Sequence, residues 1–140
     1  MIWKKSPSLE QLNASLKDNM CEHVGIELTE VGNNFLAGIM PVDKRTVQPL
    51  GLLHGGANVV LAETLGSIAA NLACEHDQYC VGLEINANHL KSVKSGLVTG
   101  IARSVHVGRS TQVWEIRIED GQGNLSCISR LTMAVKNWKQ

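Results

Sequence analysis

From residue 55 to residue 74 the chain runs apolar for about five helical turns. It is crowded with small residues: Gly55, Gly56, Ala57, Ala62, Gly66, Ser67, Ala69, Ala70 and Ala73. Small side chains at helical spacing let other backbone come close, so the segment predicts a long helix enclosed by a sheet. A membrane-spanning reading fails, because Asn58, Glu63, Thr64, Ser67 and Asn71 are spread along its length.

The flanking sequence supplies the sheet. Ser8 followed three residues on by Gln11 is a capping-box pattern and predicts a short helix to about residue 18. Two strand-like stretches, 24–31 and 35–42, are joined by Gly32-Asn33-Asn34 as a hairpin. A loop over 43–53 leads into the long helix. Four more strand-like runs follow, at 79–90, 97–107, 111–119 and 125–135. In the third of these, Trp114, Ile116 and Ile118 share one face, and Glu115, Arg117 and Glu119 the other. In the last, Leu125, Cys127, Leu131, Met133 and Val135 share a face, and Asp120-Gly121-Gln122-Gly123 makes the preceding turn. Consecutive strands with short connections imply antiparallel pairing rather than βαβ crossovers. The expected fold is α+β: one domain over residues 1–140, with six antiparallel strands and one long central helix.

Charge excludes several function classes. Lys+Arg and Asp+Glu number 13 each, so there is no long-range pull toward nucleic acid or an anionic membrane. The opening Met-Ile-Trp-Lys-Lys-Ser-Pro-Ser lacks the apolar core of a secretory signal. Cys21, Cys74, Cys80 and Cys127 form no CxxC pair, and no histidine sits at metal-ligand spacing. The expectation is a cytoplasmic protein with reduced packing cysteines and no metal.

Between residues 51 and 74 the only acidic residue is Glu63; His54 and Cys74 are the only other ionisable groups. A carboxylate on such a helix is costly to desolvate unless it is paired or reaches a pocket. In a pocket, loss of water strengthens it as base or nucleophile. The bland alternative is an ion pair with a surface Lys or Arg. Ser67, one turn on, shares its face and could orient Glu63 or a water. His54-Gly55-Gly56 opens the same helix, where amides lack internal partners and the macrodipole adds positive charge. Such donors suit the oxygen of a thioester as charge develops on it. Glu63 lies nine residues beyond His54, which is about 13 Å of helix rise. If both groups act on one carbonyl, Glu63 must come from a neighbouring subunit. Two further stretches offer phosphate donors: His89-Leu90-Lys91-Ser92 with Lys94, and His106-Val107-Gly108-Arg109-Ser110-Thr111.

The string from Gln48 through His54-Gly55-Gly56 to Glu63 and Ser67 closely resembles the hotdog-fold acyl-CoA thioesterases, in their 4-hydroxybenzoyl-CoA thioesterase-like branch. The resemblance spans essentially the whole chain. Met40-Pro41-Val42-Asp43, the run from Val81 to His89 and His106-Val107-Gly108-Arg109 match the part of that branch holding menaquinone-pathway and enterobactin-pathway enzymes. It implies a sheet wrapped around the helix, a site shared by two subunits and dimers paired into a tetramer. Glu63 would be nucleophile or general base and the Gly55 amide an oxyanion donor. Gln48 and His54 would position the thioester, with Ser67 assisting the water. Gly82, His89–Ser92 and His106–Thr111 would hold the substrate and CoA, which arrives as substrate, so no cofactor is implied. The expected reaction is hydrolysis of an aromatic acyl-CoA, foremost 1,4-dihydroxy-2-naphthoyl-CoA. Misacylated aryl carrier protein is the alternative substrate, and a non-catalytic acyl-CoA binding module the alternative outside enzymes. The chain departs from the pattern at Lys91-Ser92-Val93-Lys94, where an Arg-Pro-Val-Arg type run is common; lysine keeps the charge without the bidentate fork. Asn58 stands where Ser is frequent, and together with residues 68–71 it is expected to tune the acyl range.

Overall fold

The computed structural model describes residues 1–138. Ser8 caps α1 (Leu9–Ala14) through the expected capping box: its hydroxyl accepts from the Gln11 amide while the Gln11 side chain accepts from the Ser8 amide. The helix stops at Ser15, short of residue 18. Asn19 then caps a second short helix, α2 (Met20–His23), by accepting from the Cys21 amide. That helix and the left-handed Gly25 (φ 80) take up the start of the strand expected over 24–31. A local cap and a glycine turn here override the β preference of Val24 and Ile26. The strand β1 is accordingly Glu27–Val31.

The remaining elements are β2 (Phe35–Pro41), α3 (Gly55–Ala73), β3 (Gln78–His89), β4 (Leu97–Val107), β5 (Thr111–Glu119) and β6 (Leu125–Asn137). All pairings are antiparallel, in the order β1-β2-β4-β5-β6-β3. This is the α+β architecture expected: six antiparallel strands around one long helix. No helix among the described residues is long and apolar enough to cross a membrane.

The sheet curls over α3, which packs against β2, β3, β4, β5 and β6. Leu61, Ala62, Leu65, Ala69 and Ala70 are fully buried against Trp114, Ile116, Ile118, Leu131 and Met133. Small residues make the approach possible. A side chain at Gly100 would meet Leu65 Cδ1 at 2.6 Å, and one at Gly66 would meet Leu131 Cδ2 at 2.6 Å. The opposite stripe of α3 carries Glu63, Thr64, Ser67 and Ile68, none of them buried. Burial pushes the thiol of Cys80 up to about 12 and that of Cys127 up to about 11, so both stay protonated and serve as packing.

Asn71 fastens the end of α3 to β3. Its Oδ1 accepts from the Cys80 amide at 2.8 Å, and its Nδ2 donates to the Cys80 carbonyl at 3.3 Å and to the Ser67 carbonyl at 2.9 Å. This corrects the expectation that Asn71 tunes the acyl range: its side chain is spent on backbone. Asn71→Ala should destabilise the fold by about 1–3 kcal/mol, because the amide of buried Cys80 loses its acceptor. Denaturant unfolding of the variant checks this.

Candidate active site

The two glycines that open α3 have different surroundings. His54 is the N-cap, and its Nδ1 accepts from the Gly56 amide at 2.8 Å. The His54 carbonyl accepts from Ala57 and Asn58 at 2.9 and 3.2 Å. The proton of the neutral ring therefore sits on Nε2. Among the described residues, the Gly55 N–H has no acceptor. One donor is thus left open at the positive end of the helix, and it belongs to Gly55.

A hollow of about 300 Å³ lies beside it, lined by Gln48, Leu52, Leu53, Gly55, Asn58, His89, Leu90, Lys91 and Ser92. Gln48 reaches it from a turn closed by the Val47–Leu53 bridge, with its Oε1 accepting from the Leu50 amide. Seven residues singled out from the sequence meet here: Gln48, Gly55, Asn58, His89, Leu90, Lys91 and Ser92. His54 faces the neighbouring hollow instead, with Thr46, Gly56 and Val60. The Lys91 ammonium lies 3.4 Å from an Asp120 carboxylate oxygen. Hydrogen bonds from the Asn124 and Gln122 amides, with a smaller contribution from Lys91, hold the Asp120 carboxyl down near 2.

Glu63 lies elsewhere, about two and a half turns along the helix. It borders an apolar groove of about 390 Å³ between α3 and the segment around α2, lined by Ser15, Leu16, Met20, Cys21, Val60, Glu63, Thr64, Ser67 and Ile68. A carboxylate oxygen lies 2.9 Å from where a Gly82 side chain would begin. A β-bulge between Gly82 and Glu84 interrupts the β3–β6 register at this point. Glu63 makes no ion pair or hydrogen bond among the described residues. The surface ion pair is therefore not what the chain builds. Nor is Glu63 enclosed: in the single chain it is exposed, at the open rim of an apolar groove. The sequence reading missed the outer wall, Met20 and Cys21, because it assigned no element to residues 19–23. The Asn19 cap was the signal available.

The stretch from His106 to Thr111 stands apart. It forms the β4–β5 turn, closed by the Gly108 amide donating to the Thr111 carbonyl at 2.9 Å. The next residue, Gln112, pairs with Met133, which in turn pairs with Gly82, and Gln112 Nε2 donates to the Ala70 carbonyl. This turn is therefore at the C-terminal end of α3, while His89–Ser92 are at its N-terminal end. Within one chain the two phosphate-donor stretches do not meet, and Glu63 and Gly55 line different hollows.

A carboxylate without a partner in an apolar groove can take a proton or attack a carbonyl. An open amide at a helix N-terminus can hold an oxyanion. Comparison with known proteins points the same way. The sequence profile of the Thioesterase superfamily matches residues 50–127. A Vibrio cholerae protein carrying only an esterase name is 60% identical over 96% of this chain and 90% of its own. An Escherichia coli 1,4-dihydroxy-2-naphthoyl-CoA hydrolase is 51% identical over 96% of this chain and 99% of its own. A proofreading thioesterase of Cronobacter turicensis, EntH, is also 51% identical, over 96% of this chain and 98% of its own. The crystal structure of a Haemophilus influenzae thioesterase superposes with a TM-score of 0.98, at 47% identity over 100% of this chain and 98% of that one.

Proposed function

Because the chain belongs to the thioesterase superfamily and is a thioester hydrolase, we propose that it hydrolyses an aromatic acyl-CoA, foremost 1,4-dihydroxy-2-naphthoyl-CoA, to the free acid and CoA. One observation carries the reading: the Glu63 carboxylate has no partner among the described residues and borders an apolar groove where an acyl group can lie. Apart from Glu63 the groove holds no charged side chain, which suits a flat apolar acyl group better than a polar one.

In the proposed reaction the thioester oxygen accepts from the Gly55 amide, and Gln48 and His54 orient the ester. Glu63 draws a proton from the water that attacks the carbonyl carbon, with Ser67 holding that water, or attacks the carbon itself to give a mixed anhydride that water then cleaves. The C–S bond breaks, the thiolate leaves as CoA and takes up a proton, and the acyl carbon keeps the oxygen from water. Lys91, Ser92 and Lys94, with the His106–Thr111 turn, receive the CoA phosphates, and Gly82 leaves room for the substrate. No cofactor takes part. The reading puts the enzyme in the cytoplasm.

The site is proposed to be shared by two copies of the chain. β3 is an edge strand of 12 residues. It presents exposed Val81 and Leu83, and beyond Cys80, whose amide and carbonyl are taken by Asn71, no other strand of the chain pairs with this edge. Pairing with β3 of a second copy would cover this edge, enclose the Glu63 stripe and bring one chain's Glu63 toward the other's Gly55. Two such dimers would form a tetramer.

A second reading rests on the Cronobacter relative, whose identity equals that of the Escherichia coli enzyme: the thioester would be carried by an aryl carrier protein. Turnover of one aroyl group presented on CoA and on a carrier protein separates the two. The expected outcome is a kcat/KM at least tenfold higher on CoA. A preference for the carrier protein would reverse the assignment.

A further inference from the structure

Asn58 is 4% exposed, and its Oδ1 has no hydrogen-bond partner. A buried acceptor left open costs stability, and a residue kept only for packing would not carry one. Asn58 lines the hollow beside the Gly55 amide. Its Nδ2 lies 3.3 Å from Nδ1 of His89, and Nε2 of the same ring lies 2.8 Å from where a Gly55 side chain would begin. The imidazole thus occupies the space that glycine leaves at the helix start, with one nitrogen against Asn58 and the other against Gly55.

This assigns the proton. With the amide nitrogen donating to Nδ1, the neutral ring carries its hydrogen on Nε2. The flipped amide would leave both N–H groups of a buried nitrogen unpaired, where the orientation described leaves the oxygen and one N–H. Two donors then stand together at the open end of α3: the Gly55 amide and the His89 Nε2–H.

The geometry points to Asn58 as a positioning residue that holds His89 in the Nε2–H tautomer, so that the ring supplies a second donor to the thioester oxygen. This rests on the thioesterase reading above and extends it to residues that reading leaves without this role. Gly55 acquires a second reason to be glycine, since any side chain there would expel the ring.

The test combines kinetics, calorimetry and nitrogen NMR of the imidazoles in 15N-histidine-labelled full-length protein. The NMR spectrum needs no substrate and should show His89 in the Nε2–H form. Asn58→Ala should leave the melting temperature unchanged or higher, since an unpaired acceptor goes and alanine is the better helix former. The same variant should lower kcat about tenfold with little change in KM and put His89 into a mixture of tautomers. In a His89→Ala background, Asn58→Ala should cost nothing further. An Nδ1–H ring in the unmodified protein would overturn the proposal. So would unchanged turnover in Asn58→Ala, or the same loss with and without His89. If Glu63 variants retain activity while His89 shows the Nε2–H form, the role given to Glu63 is wrong and the positioning stands.

Discussion

Glu63→Ala will lower kcat on the best aroyl-CoA by about 10²-fold or more, with KM nearly unchanged. In the proposed reaction the carboxylate contributes only when the carbonyl is attacked, so its loss should not weaken binding of the ground state. The fold should tolerate the change. Glu63 is exposed and makes no ion pair or hydrogen bond among the described residues, so stability should move by no more than about 0.5 kcal/mol. Steady-state release of free thiol, beside a melting curve, reads both quantities. A variant that keeps most of its turnover would remove Glu63 from the reaction. A variant that loses turnover by unfolding would contradict the exposure described here.

Mixing two inactive variants should restore activity. Glu63→Gln removes the carboxylate; Gly55→Val displaces His89 and crowds the open amide. Each alone should lose about 10²-fold. If one chain's Glu63 works with the other's Gly55, a mixed dimer holds one doubly damaged site and one intact site. Co-expression in equal amounts should then recover about a quarter of unmodified activity, because half of randomly paired dimers are mixed and each has one working site of two. The physical basis is separation: the two groups line different hollows of one chain, about 12 Å apart along α3. A mixture no more active than its parents would show that each chain works alone, and would also remove the proposed role of the β3 edge. Disrupting that edge gives an independent reading. Leu83→Lys places a charge where a second strand would pair, and should shift the protein to a smaller species in size-exclusion chromatography.

The contrast between Glu63 and its surroundings shows where sequence reasoning reached and where it stopped. A lone acid among small apolar residues is visible as a string, since composition within one helix is local information. So is the Trp114-Ile116-Ile118 alternation, all three fully buried, because side-chain direction follows from a period of two. Groove walls at Met20 and Cys21 were missed for a local reason: four residues are too short for a periodic pattern, and only the Asn19 cap marks the helix they form.

By itself, then, the sequence determined the long helix and the six strands, apart from α2 and the start of β1, which faces are apolar, and which acid and which glycines stand out. These are set by propensity and periodicity over neighbouring residues. Tertiary structure alone decided that β3 crosses to the far edge of the sheet, that Gly82 faces Glu63, and that His89 fills the space at Gly55 with Asn58 behind it. Those meetings join residues 19 to 34 positions apart, from Glu63 and Gly82 to Gly55 and His89. They depend on how the sheet closes around α3, and no local pattern carries that register.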